Sequence, residues 1–240
     1  MIFSKSMREG DYDCLVEQGT VITQIHDAIK MWYPYQHHHR LWEYALASRV
    51  LKEVFNGRSK LLVSDHGCGA GYLGPLMLWL GHNVRLYECW TFGNESEYML
   101  EQMRQVALAR GGEAGQYELR NRPLGGLVEE DKGVDAAFCI STLEHIRNYQ
   151  EAFRDLLNTV KPGGLAFLTT DFGEHEQDDY ECANLRAGKM FTVKTYQELL
   201  DIGRSMGFEL LGNSCDWSWD EECRLVCSYG FASIALVKEN

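Results

Sequence analysis

Residues 61–90 read LLVSDHGCGAGYLGPLMLWLGHNVRLYECW, and the fold follows from this stretch. Leu61-Leu62-Val63 is a short apolar run, the length of a buried parallel strand and too short for a helix. Asp65-His66-Gly67-Cys68-Gly69-Ala70-Gly71 follows, with glycine at alternate positions. Such glycines let the backbone take positive φ and let a ligand lie against the main chain without a Cβ between them. Tyr72 to Leu80 reads as a helix closed by Gly81, with Pro75 in the first turn, where amide hydrogens have no partner inside the helix. A second strand, Val84-Arg85-Leu86-Tyr87, ends on the acid Glu88. Strand, glycine loop, helix, strand and acid together predict a nucleoside-binding half-fold.

That frame admits two readings. Gly69-x-Gly71-x-x-Gly74 satisfies the dinucleotide fingerprint, with Glu88 where an acid would grip a ribose, which is the reading of an NAD(P)-dependent Rossmann oxidoreductase. Asp65, two residues before the first glycine, turns the stretch into D-x-G-x-G-x-G. This form resembles motif I of the class I S-adenosylmethionine (SAM)-dependent methyltransferases. The resemblance implies that Asp65, Gly67, Cys68, Gly69 and Gly71 form the loop under the methionine part of SAM, and that Glu88 holds both ribose hydroxyls.

Later segments extend the resemblance. Tyr117 to Leu119 reads as a third strand, and the family approaches the adenine just past it, which assigns that contact to Asn121, with Arg122 beside it. The family more often has an acid there. Asp135 to Ser141 reads as a fourth strand, followed by Thr142-Leu143-Glu144-His145-Ile146. In the family this strand ends beside the methionine portion, which places Ser141 among the cofactor contacts. Asn148 to Val160 is a helix, Lys161-Pro162-Gly163-Gly164 the turn after it, and Leu165 to Thr170 a fifth strand. Thr192 or Thr195 caps a further helix reaching Met206, with Thr195-x-x-Glu198 fitting a capping box. Phe208 opens a sixth strand and Ser228 to Val237 supplies the last. Agreement in order and spacing favours the methyltransferase reading over the dehydrogenase one.

The expected fold class is therefore α/β, a Rossmann-like doubly wound and mostly parallel seven-stranded sheet (the class I methyltransferase fold). Residues 1–60 are expected to form an N-terminal helical cap and residues 61–240 the SAM-dependent core. Within the cap, Val21 to Met31 and His39 to Phe55 show one-face helical spacing, the second with Leu46, Val50, Leu51, Val54 and Phe55 inward. Trp32, Tyr33, Tyr35, Trp42 and Tyr44 could line a substrate pocket or fasten the cap to the core. His37-His38-His39 invites a metal, but consecutive helical side chains point about 100° apart and do not converge on one ion. From Asn94 to Arg110 a further helix is expected to bury Tyr98, Met99, Met103, Val106, Ala107 and Ala109. Phe172 to Lys189 reads as an irregular acidic insertion after a strand's C-terminal end, where open α/β sheets bind ligands.

Composition bounds the function. The 240 residues carry a formal charge of −12, with 45% hydrophobic and 24% charged residues. No basic run appears, so a nucleic-acid partner is not expected. No apolar run approaches the ~18 residues needed to span a bilayer, and the first residues lack a signal-peptide pattern, so neither membrane nor export is expected. Eight scattered cysteines suit reduced thiols and a cytoplasmic protein. Cys215, Cys223 and Cys227 make a poor zinc pattern, and no metal is expected.

The chemistry implied by the resemblance needs no enzyme nucleophile. An acceptor attacks the sulfonium methyl in line, leaving S-adenosylhomocysteine, and the protein contributes alignment and shelter from water. A hydroxyl acceptor also needs a base, for which His145 stands first and His175, in the acidic insertion, second. His145 could instead order its turn or contact SAM. The acidic residues of the insertion could attract a cationic amine, or simply be solvated. The expectation is a SAM-dependent methyltransferase acting on a small molecule, oxygen favoured over nitrogen. The alternatives are the oxidoreductase and a non-catalytic SAM-binding protein of the same fold. The tetrad N/D-P-P-Y/F of base and glutamine N-methyltransferases is absent, its place being held by Ile140-Ser141-Thr142-Leu143.

Overall fold

The computed structural model describes residues 3–6, 38–69, 71–89, 95–178, 181–182, 185–186, 188–219 and 230–240, of which 38–41, 95–96, 177–178, 181–182 and 185–186 by backbone alone. The helix expected over Val21–Met31, and Trp32, Tyr33, Tyr35, His37, Cys223 and Cys227, lie outside the described residues.

Seven strands form the central sheet: β1 Leu62–His66, β2 Asn83–Glu88, β3 Tyr117–Asn121, β4 Val134–Ile140, β5 Val160–Phe172, β6 Phe208–Leu210 and β7 Gly230–Lys238. Their spatial order is β6-β7-β5-β4-β1-β2-β3. All neighbours pair parallel except β7, which runs antiparallel to both β5 and β6. The chain starts at β1, winds outward to β3, then returns to the other side of β1 with β4. Strand order thus reverses between β1 and β4, and the loops leaving these two strands diverge there into a crevice.

Helices cover both faces. α1 (His38–Phe55), α2 (Leu73–Trp79) and α3 (Glu95–Arg110) contribute to one core layer with Val63, Val84, Ala136, Phe138 and Phe167 of the sheet. α4 (Tyr149–Thr159) and α5 (Val193–Ser205) pack on the other with Ala137, Cys139, Leu168, Ile234 and Leu236. Strand β4 is buried along its whole length, yet Phe138 and Cys139 go to opposite layers, the two-residue alternation of a strand between two helical faces. In α1, Trp42 to Ser48 is buried throughout, as a helix covered on all sides must be.

Several local expectations change. Lys161-Pro162-Gly163-Gly164 does not stand as a separate turn but lies within the long β5, where the β4 register slips between Val134 and Ala136 and Gly163 takes φ +70°. The cap of α5 is Thr192, whose hydroxyl is reciprocally bonded with Thr195, while Glu198 accepts instead from the Tyr149 hydroxyl at 3.0 Å. Ala109 is exposed because α3 turns it outward, and its buried face runs through Met99, Gln102, Met103 and Val106.

The described residues of the insertion after β5 form two short ladders. Gln177–Asp178 pairs antiparallel with Lys189–Met190, and Glu181–Cys182 with Leu185–Arg186. Its base is fixed where Gly173 N donates to Phe191 O (2.9 Å) and Phe191 N to Asp171 O (3.1 Å). Ser4–Lys5 pairs with Cys215–Asp216 beside β7. Among the described residues no helix is long and apolar enough to cross a membrane.

Candidate active site at the tips of β1, β2 and β4

The glycine loop leaves β1 at its buried end. Gly67 N and Cys68 N both donate to Tyr87 O on β2 (2.8 and 3.2 Å), which bends the chain sharply out of the strand. Gly67 (φ +73°) and Gly69 (φ +48°) take the left-handed conformation that glycine adopts without steric cost. The two differ in surroundings. A Cβ on Gly67 would lie 2.1 Å from Thr142 Cγ2, whereas at Gly69 nothing among the described residues lies within 4 Å. At Gly71 a Cβ would meet the Tyr44 hydroxyl at 2.8 Å.

Glu88, half-buried at the tip of β2, accepts from Gly69 N through Oε2 (3.1 Å) and from Cys89 N through Oε1 (2.8 Å). Oε1 also accepts from the Cys89 thiol (3.3 Å), a weak donor that a hydroxyl can replace, and Oε2 keeps a further lone pair, so Glu88 shapes the loop and can still accept from hydroxyls. Asn121 is the last residue of β3, directly across from Glu88. With its amide oriented to satisfy both ends, its nitrogen donates to Glu88 O (3.2 Å) and Cys89 O (3.3 Å). Arg122 is drawn away from the crevice: its guanidinium meets the fully buried Asp131 at 2.9 Å, beside Arg120 and the Tyr87 hydroxyl. Burial alone would raise Asp131, but the Val128 amide, Arg120, Arg122 and Tyr87 outweigh it and hold the carboxyl at about 2.

Asp65 is buried, and burial first, then the neighbouring Glu88 charge, pushes its carboxyl up to about 7. A cation at this end of the crevice would relieve both causes. His66 turns away from the crevice, with its ring stacked on Tyr87 at a centroid separation of 4.4 Å and Nε2 3.0 Å from Ser64 Oγ. Burial holds it neutral, with its pKa lowered to about 3. It shapes the loop from beneath.

The β4 tip faces the glycine loop. Ser141 takes φ +43°, rare for a residue with a side chain. Its amide donates to Thr169 O (3.0 Å) and its hydroxyl to Glu43 Oε1 (2.6 Å). Thr142 Oγ1 lies 3.0 Å from Ile140 O and 3.2 Å from Gly67 O, so its one proton is shared between β4 and the glycine loop and links the two tips. His145 closes the 3₁₀ turn Leu143–His145; its side chain is exposed, and its Cα lies against Gly188 at the base of the β-ladder excursion. His175 stands apart from this cluster on the excursion, its side chain 86% exposed and 3.8 Å from the Glu174 carboxylate. The structure thus brings Asp65, Gly67, Cys68, Gly69, Gly71, Glu88, Asn121 and Ser141 to the neighbouring C-terminal ends of β1 to β4, where the crevice opens, with His145 in the turn after β4.

Two residues of α1 join this crevice. Glu43 is fully buried and Tyr44 accepts from Tyr72 N (3.3 Å) just beyond the glycine loop. Sequence reading passed over Glu43; its signal is an acid inside the apolar run Leu41-Trp42-Glu43-Tyr44-Ala45-Leu46. A separate cleft of ≈ 290 Å³ lined by Leu127, Lys132 and Asp155 sits near the opposite, N-terminal end of β4 and holds none of these residues. Among the described residues no group of three His, Cys, Asp or Glu side chains is arranged to hold a metal ion.

The sequence model of a methyltransferase-domain family matches residues 35–212, the whole span from α1 to the end of β6. The chain belongs to the class I SAM-dependent methyltransferase family. The chain is 28% identical over 123 residues to a ubiquinone biosynthesis O-methyltransferase of Rickettsia bellii (strain OSU 85-389), covering 50% of this chain and 46% of that protein. The chain thus spans about half the length of the curated relatives it matches. Among solved structures, the methyltransferase fold superposes on the 1,6-didemethyltoxoflavin-N1-methyltransferase of Burkholderia thailandensis, solved with 1,6-didemethyltoxoflavin and S-adenosylhomocysteine. The TM-score is 0.59 at 16% identity, covering 98% of this chain and 92% of that one. It also superposes on the SAM-bound magnesium protoporphyrin IX methyltransferase of Synechocystis PCC 6803 (TM-score 0.53, 16% identity, 95% and 97% covered). The oxidoreductase alternative gives way to the family match, and the Gly69 backbone, the raised Asp65 carboxyl and the Glu88 carboxylate at the β2 tip fit SAM, the cofactor of this family.

Proposed function

We propose that this methyltransferase moves a methyl group from SAM to a small-molecule acceptor, oxygen favoured over nitrogen, and works in the cytoplasm. The observation that carries the reading is the bond from the Gly69 amide, in the loop after β1, to Glu88 at the neighbouring β2 tip, next to the switch point and to a buried acid, Asp65. The O-methyltransferase name of the Rickettsia relatives supports oxygen as the acceptor atom. The charge of −12 and the buried thiol of Cys139 suit a small-molecule enzyme in a reducing compartment.

When bound, SAM supplies an electrophilic methyl on a sulfonium. The chain's own residues supply the rest. Glu88 would take the two ribose hydroxyl protons while keeping the loop amide. Asp65 would ionise against the cationic end. Asn121 would border the adenine, and Ser141 the methionine end. Residues 1–60 would act as a helical cap, since Glu43 and Tyr44 of α1 already reach the strand tips. The excursion over 173–190 would close the acceptor side and exclude water. For a hydroxyl acceptor, His145 at the rim would receive the proton, with His175 the second candidate.

Calorimetry with SAM and S-adenosylhomocysteine, followed by incubation with labelled SAM and a metabolite extract, tests the reading. Both ligands should bind, and label should pass to a low-molecular-weight product. Glu88→Ala should weaken SAM by about 1–3 kcal/mol through unpaired ribose hydroxyls. His145→Asn should slow turnover about 10²-fold or more while leaving SAM affinity near that of the parent protein. Binding without any transfer would leave a SAM-binding protein and remove the enzymatic reading.

A further inference from the structure

We propose that Glu43 of α1 is a positioning residue for the amino-acid end of the cofactor, acting through Ser141. The inference rests on the crevice being the SAM site. Glu43 has no exposed surface, yet it stands in a helical turn that is otherwise apolar or aromatic: Trp42, Tyr44, Ala45, Leu46 and Ala47. Burying a carboxyl group costs several kcal/mol unless hydrogen bonds offset it, and an apolar residue of similar volume would serve packing as well or better. Packing alone therefore does not account for an acid here.

What the acid does is local. One oxygen, Oε1, accepts from Ser141 Oγ (2.6 Å), just past the end of β4, and from Thr169 Oγ1, inside β5 opposite the last residue of β4. Ser141 is held in the left-handed region (φ +43°), and the next residue, Thr142, is bonded to Gly67 O of the glycine loop. One residue along α1, the Tyr44 hydroxyl accepts from Tyr72 N on the other side of that loop. α1 therefore clasps the crevice from both sides, with Glu43 fixing the β4 side.

The polarity of the clasp also selects a ligand group. Because Ser141 Oγ donates its only proton to Glu43, the hydroxyl has only lone pairs left for a further partner. A serine set in this way accepts and does not donate. It suits the ammonium of an amino-acid moiety and not its carboxylate.

Three ligands separate this role from a merely structural one: SAM, S-adenosylhomocysteine and 5′-methylthioadenosine, the last sharing the nucleoside but lacking the amino-acid end. Titrations would use Glu43→Ala, Glu43→Gln and Ser141→Ala, held well below their melting temperatures and checked for native circular dichroism. Glu43→Ala should weaken SAM and S-adenosylhomocysteine by the same factor, about tenfold or more, and leave methylthioadenosine within about twofold. Glu43→Gln, whose amide oxygen can accept both hydroxyl protons, should recover most of the loss. Ser141→Ala should reproduce the loss, and the double variant should lose no more than either single one. If Glu43→Ala does not fold, the Ser141→Ala and Glu43→Gln results decide alone. Equal loss of all three ligands, or a loss confined to SAM, overturns the inference. A parent protein that binds none of the three removes the site reading first and this inference with it.

Discussion

At Gly67 an added Cβ would lie 2.1 Å from Thr142 Cγ2 on a backbone at φ +73°, while at Gly69 it would meet nothing among the described residues within 4 Å at φ +48°. Gly69→Ala should therefore cost only the left-handed penalty, about 1–2 kcal/mol. Gly67→Ala adds overpacking of about 1–3 kcal/mol, and Thr142→Ser should return part of that excess by removing the offending methyl. Urea midpoints of the two variants check the difference. Asp65 and His66, adjacent in the chain, oppose each other with pH. Asp65 ionises at 3.8 unfolded and at about 7 folded. Between those values the native state holds the extra proton, and its contribution to stability falls as pH rises. His66 binds its proton at 6.5 unfolded and at about 3 folded. Across that window the unfolded chain holds the extra proton, and stability rises with pH. The two largely cancel between about pH 4 and 6.5. Asp65→Asn should leave a midpoint that climbs with pH through this range, and His66→Asn one that declines; flat profiles in both variants would remove the assignment.

The elements show which local signals carried through to the fold and which were redirected. The Thr192 hydroxyl caps α5 and Thr195 answers it, so Thr192→Ala should lower stability by about 1 kcal/mol, read from thermal melts by circular dichroism. Glu198→Ala should leave the cap intact, because its carboxylate serves Tyr149 instead. The capping-box spacing at Thr195 was present in the sequence, but hydroxyl reciprocity at Thr192 used the same helix end first. The excursion after β5 was legible as a long acidic insertion and not as paired strands. Its ladders are two residues long, too short to show an alternating pattern. Asn121 was legible as the residue at the end of β3; the diversion of Arg122 to Asp131 was not, because Asp131 lies nine residues further on and meets it only through the turn before β4.

At the scale of the molecule, α1 and the strands share one core. Trp42, Val50, Leu51 and Phe55 are buried against residues of the sheet and of α2. A chain beginning at residue 61 would expose that layer. It should lose cooperative thermal unfolding and bind a hydrophobic dye, where the full chain melts in one transition. A truncated chain that melts cooperatively would show that the core stands without α1.

The succession of strands along the chain, the glycine loop, the acid at the β2 tip and the turn after β4 were all written in the sequence. Each depends on local chemistry: period, positive φ and the length of a buried run. Only the tertiary structure decided that Glu43 reaches Ser141 across 98 residues of chain, that Thr142 makes Gly67 obligatory, and that Asp65 is desolvated beside Glu88. These depend on which side chains meet once the sheet has reversed its winding between β1 and β4, and contacts between residues so far apart leave no periodic trace in the chain that makes them.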